Sequence, residues 1–73
     1  MSSGKVSFFN EINGTGFIVN NEVPGVIKFT YKDINRQGYR MVHEGQQVFF
    51  DLYLSPRGPR ALNIIPVETE FGR

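Results

Sequence analysis

Apolar and polar residues alternate in five short runs along this chain, and no run repeats at the spacing of a helix. The first is "KVSFFN" (Lys5–Asn10), rich in β-branched and aromatic residues and closed by the turn-like "EING". "TGFIVN" (Thr15–Asn20) follows as the second arm of a hairpin with it. The breakers "NNEVPG" then lead to "VIKFTY" (Val26–Tyr31), whose alternation sends Ile27 and Phe29 one way and Lys28 and Thr30 the other. A long polar connection, Lys32 to Gly45, shows no apolar stripe. It has Ile34, Tyr39 and Val42 to pin it to the body, with room for one short 3₁₀ turn. "QQVFFDLYL" (Gln46–Leu54) predicts a fourth strand with Val48, Phe50 and Leu52 on one face. After the turn "SPRGPR", "ALNIIPV" (Ala61–Val67) predicts a fifth, short and near a sheet edge because Pro66 has no amide hydrogen to donate. Residues 68–73, "ETEFGR", read as a flexible tail beyond a domain of residues 1–67.

Five strands parted by turn signals in a 73-residue chain predict a closed or nearly closed barrel, since closure removes exposed strand edges. An SH3-like barrel fits that count as well. A chain of this length is one domain, burying roughly 60% of the surface exposed when unfolded. It has no cysteine, so neither a disulfide nor a thiolate metal site supports the core. No apolar run approaches the roughly 20 residues of a membrane span, and the N-terminus lacks a signal-peptide layout. The expectation is a cytoplasmic protein with no membrane association.

The net charge of +1 is low for a binder of polyanions, but its distribution is uneven. Residues 4–64 carry seven Lys and Arg against five Asp and Glu, while the tail is slightly acidic. Aromatics change the picture more. There are seven Phe and three Tyr, and Phe8–Phe9 and Phe49–Phe50 are adjacent doublets. A strand buries only alternate side chains on one face, so one ring of each doublet is expected to face solvent, a partner or a ligand. Phe8, Phe17 and Tyr31 are expected outside, with Ile18 in the core and Phe9 partly buried. Phe49 and Tyr53 face out on the fourth strand.

Catalysis finds no support. Asp33, Glu44 and Asp51 are scattered, no serine has a base beside it, and His43 stands alone without a second metal ligand. "NGTG" lacks the Gly-Lys-Ser/Thr ending of a phosphate-binding loop. No cofactor, metal or enzymatic activity is expected.

Taken in order, the segments resemble the bacterial cold-shock proteins. "GKVSFFN" is similar to that family's opening G-x-V-K-W-F-N, and "NGTGFI" stands where its first ribonucleoprotein motif, K-G-F-G-F-I, would lie. "IKFTY" occupies the place of the second motif, V-F-V-H-F. "GYRMVHEGQQVFFDL" follows the pattern G-F/Y-x-x-L-x-E-G-Q-x-V-x-F, and "RGPRALNI" resembles the closing x-G-P-x-A-x-N-V. The resemblance covers Gly4 to about Ile64. It implies an all-β, five-stranded antiparallel Greek-key OB-fold barrel that binds single-stranded RNA or DNA as an RNA chaperone or a regulator of transcription or translation.

The resemblance also implies a site. Phe8, Phe17 and Tyr31 stand at stacking positions, and Tyr39 stands at the family's loop aromatic. Other stacking places have changed: Thr15 and Lys28 replace aromatics and Thr30 replaces histidine. Ser7 and Asn13 replace basic residues. Lys5, Arg57 and Arg60 are the candidate backbone contacts at the rim. The glycines of "NGTGFI" read as a device that lets the strand bend and a ligand approach closely. Base–aromatic stacking contributes about 1–3 kcal/mol per base, so a platform short of two rings predicts weakened, more salt-sensitive binding. The alternative expectation is a protein-interaction or dimerisation module, a barrel whose nucleic-acid face has decayed and whose contacts run through Phe49 and Tyr53.

Overall fold

The computed structural model describes residues 1–35 and 41–67. Tyr39 and the tail 68–73 lie outside the described residues. The strands are β1 (Ser2–Asn10), β2 (Thr15–Val19), β3 (Ile27–Thr30), β4 (Gln47–Ser55) and β5 (Gly58–Pro66), with a 3₁₀ turn over Tyr31–Asp33. They close into a barrel in the order β1-β2-β3-β5-β4, and β4 returns to pair with β1. All junctions are antiparallel except β3–β5, which is parallel at Lys28 and Arg60. The all-β OB-type barrel expected from the sequence is the fold found.

The core follows the alternation. Ile27 and Phe29 of β3 and Val48 and Phe50 of β4 are fully buried, as are Val6, Ile18 and Ile64. Ile34 and Val42 are buried too, so both ends of the long connection are pinned where the apolar residues suggested. Burying such side chains is worth about 1.5–3 kcal/mol each. The backbone of the connection joins in, since the Asn35 amide donates to the Ile64 carbonyl at 2.6 Å.

Three element boundaries differ from the reading of the sequence. The first strand begins at Ser2, because Ser2 to Lys5 pair with β4, a partner that no local pattern announces. The chain leaves β3 after Thr30, where the Asp33 carboxylate accepts from the Thr30 amide at 3.0 Å and bends the next residues into the 3₁₀ turn. The fifth strand is neither short nor marginal. It starts at Gly58, which takes a left-handed φ of 123° and closes a tight turn with β4, and it lies between β3 and β4. Pro66 is tolerated at its end because the ladder continues through the Val67 amide, which donates to the Gln47 carbonyl at 2.9 Å.

Two bulges shape the barrel. In β5 the extra residue falls near Asn63, whose φ is 53°, opposite Phe49 to Asp51 of β4. In β1, Val6 pairs with Ile18 and Phe8 with Phe17, so Ser7 and Phe8 together oppose one residue of β2. Such a bulge adds one residue and strengthens the local twist. Its effect on side-chain direction sets up the candidate site.

Candidate nucleic-acid interface

Strict alternation from the buried Val6 would send Phe8 inward. The bulge shifts the phase instead. Ser7 and Phe8 both face out, Phe9 turns partly in, and Asn10 follows outward beside Thr15. Phe9 lies parallel to Phe29, with ring centroids 5.9 Å apart and an interplanar angle of 1°. Phe8 is 42% exposed and lies against Phe17 at 6.0 Å, their planes 28° apart. That spacing lies in the favourable range for an aromatic pair. The Ser7 hydroxyl donates to the Phe17 carbonyl at 3.3 Å across the bulge.

The register extends this pair into a row. Phe8 is opposite Phe17, Phe17 is opposite Lys28, and Lys28 is opposite Arg60. One row further along stand Asn10, Thr15 and Thr30. The outer surface of β1, β2 and β3 thus carries two rings and a lysine, then a polar strip with no ring. Tyr31 borders that strip at 44% exposure, held by its backbone N–H, which donates to the Gly14 carbonyl at 2.7 Å.

The two glycines around Thr15 make room for the protein's own rings. A Cβ on Gly14, already at φ 73°, would lie 2.5 Å from Cδ1 of Tyr31. A Cβ on Gly16 would lie 2.5 Å from Cζ of Phe29 and 2.7 Å from the Phe8 carbonyl. Gly14 therefore seats a ring on the outer face and Gly16 admits one to the core.

The candidate cations differ in their engagement. Lys5 and Lys28 are exposed on β1 and β3. Arg57 is exposed in the β4–β5 turn. Arg60 is instead drawn into an internal network. Its Nη2 lies 3.2 Å from Oδ2 of Asp33, the oxygen that also accepts from the amide and hydroxyl of Thr30. Its Nε is buried and has no partner among the described residues. Arg60 holds the 3₁₀ turn against β5, its guanidinium paired with the Asp33 carboxylate. Asp33 was missed in the sequence as an organiser of this site. The signal was present in the Thr-x-x-Asp spacing of Thr30 and Asp33, the pattern of a side chain reaching back to a cap.

Phe49 and Tyr53 are exposed on β4, on a different part of the barrel surface from Phe17. Among the described residues there is no group of acidic, histidine or cysteine side chains arranged to hold a metal. No helix there is long and apolar enough to cross a membrane.

Residues 2–67 match the family described as the 'Cold-shock' DNA-binding domain. The chain is 44% identical over 66 residues to cold shock protein ScoF of Streptomyces coelicolor, covering 90% of this chain and 98% of that one. It is 40% identical over 70 residues to cold shock-like protein CspD of Escherichia coli, covering 96% and 95%. It is 38% identical over 66 residues to cold shock protein 1 of Lactiplantibacillus plantarum, covering 90% and 98%. With that coverage, and a barrel carrying paired rings on its outer face, the chain belongs to the cold-shock domain family, a family of nucleic-acid-binding rather than catalytic proteins.

Proposed function

We propose that this protein holds unpaired RNA or DNA on the outer face of β1 to β3, with less affinity than a full aromatic platform gives. Phe8 and Phe17 stack on bases as a pre-packed pair, which limits the side-chain entropy lost on binding. Tyr31 takes a further base from its seat on Gly14. Tyr39, at the family's loop-aromatic position in the sequence, caps one end. Lys28 and Lys5 meet the phosphate backbone, and Arg57 adds charge at the rim. Arg60 contributes chiefly by fixing the turn that carries Tyr31. Thr15 offers a hydroxyl to a base edge where a ring would otherwise stack, whereas the Thr30 hydroxyl donates to Asp33 and leaves only its lone pairs to a base. Such a surface keeps strands unpaired with little sequence selectivity, the chemistry of a cytoplasmic RNA chaperone or a regulator of transcription or translation.

The observation that carries this reading is the outward row Phe8, Phe17 and Lys28 on three adjacent strands. The test is a fluorescence titration with labelled oligothymidine and oligouridine at low salt. Saturable binding is expected, and Phe17→Ala should weaken it roughly five-fold to a hundred-fold. Absence of saturable binding to either homopolymer overturns the proposal.

A further inference from the structure

Beyond the ring pair, the outer face continues into a groove that the sequence did not suggest. Its volume is about 460 Å³, and Ser3, Lys5, Val19, Asn21 and Gln47 are among the residues that line it. That size is within the range of ligand clefts. The register ties it to the candidate interface. Val19 is the next outward residue after Phe17 on β2 and lies opposite Lys5 of β1, which lies opposite Gln47 of β4. One outward step further along β4 is Phe49, opposite Ser3 and 39% exposed. With strands about 4.8 Å apart and a rise of about 3.3 Å per residue, Phe17 and Phe49 are separated by roughly 15–20 Å of continuous surface.

The chemistry along that path suits a polyanion that carries flat bases. Lys5 supplies a positive charge, and among the described residues that line the groove none is a carboxylate, although Glu22 stands behind Asn20. The amide of Asn20 is already engaged with Glu22 and Val23, but Asn21 and Gln47 are exposed. Exposed side-chain amides present a donor and an acceptor together, which base edges and sugars can meet. At the far end Phe49 offers a ring, as Phe17 does at the near end.

We infer that the groove between β2, β1 and β4 is a second nucleotide track, in which Lys5 and Gln47 guide the strand from Phe17 to a terminal stacking site on Phe49. The inference rests on the proposed binding of unpaired strands by Phe8 and Phe17. It adds that longer strands wrap around the barrel rather than ending at its first face.

The test measures affinity against strand length, using oligothymidines of about four to about twelve nucleotides, the range of site sizes known for single OB folds. Affinity should keep rising after the first face is filled. Phe49→Ala should weaken the longest strand roughly five-fold or more while changing the shortest less than about two-fold. Gln47→Ala should act in the same direction with a smaller effect. Chemical shifts read without mutation provide a second measure: long strands should move the Phe49 ring and Gln47 amide signals, and short ones should not. Affinity that levels off at short lengths, with Phe49→Ala indifferent and Phe17→Ala damaging, overturns the track and leaves the first face intact. Shifts at Phe49 that follow protein concentration and ignore the oligonucleotide also overturn it, pointing to contact between copies. Failure of every strand to bind removes both readings together.

Discussion

The two phenylalanine doublets, Phe8–Phe9 and Phe49–Phe50, have the same local composition and reach the same arrangement by different means. In β4 the pattern is regular. Phe50 is inside with Val48, and Phe49 is outside. In β1 the first ring is also outside, but regular alternation from Val6 would have buried it. An extra residue at Ser7 reverses the phase, and Phe9 takes the inner place against Phe29. The regular doublet serves the core and leaves an isolated ring outside. The bulged doublet puts its outer ring into register with Phe17 and Lys28 of the neighbouring strands. The outward row of rings is made by departing from the period of the strand at one position.

The largest expected contrast lies within the regular doublet. Phe50→Ala should destabilise the fold by about 3–5 kcal/mol, a large part of the roughly 5–15 kcal/mol typical of a domain. Phe49→Ala should stay within about 0.5 kcal/mol. Urea denaturation of both variants checks this, and equal losses would show that the inside and outside assignments are wrong. In the bulged region the inner ring depends on the missing side chain of Gly16. Gly16→Ala should destabilise by about 1–3 kcal/mol, because the new methyl overpacks the core against Phe29. A neutral Gly16→Ala in the same urea assay would mean that Phe29 shifts freely.

Thr15→Phe is the converse experiment, since it restores a ring to the polar strip between Phe17 and Tyr31. Affinity for oligothymidine should rise by up to about 1–3 kcal/mol, the contribution of one stacked base. No gain in the titration would mean that bases do not pass over Thr15. The smallest expected effect is that of Lys28→Gln. If Lys28 neutralises one phosphate, the slope of log affinity against log salt should become shallower by about 0.7. An unchanged slope would show that Lys28 is merely solvated.

The barrel was legible because its strands obey simple rules. Ile27 with Phe29 and Val48 with Phe50 announce an inner face by alternation alone. The outward positions of Phe8 and Phe17 were legible through the resemblance of the flanking segments. The bulge was not, because "VSFFN" satisfies either phase and only pairing with β2 chooses between them. The start of β5 was hidden because glycine and proline in "RGPR" suggest a turn throughout, whereas the chain turns at Pro56 and Arg57, and Gly58, Pro59 and Arg60 already belong to the ladder. The bond between Arg60 and Asp33 joins residues 27 positions apart, and no local spacing announces it.

The place of β5 has a consequence for how the protein is made. It is the last of the five strands to leave the ribosome, yet it fills the gap between β3 and β4. Until it emerges, β3 and β4 each lack a neighbour and the barrel stays open. Folding must therefore wait for synthesis of the strands to finish, and a chain halted in the β4–β5 turn would present two unpaired edges to whatever lies nearby.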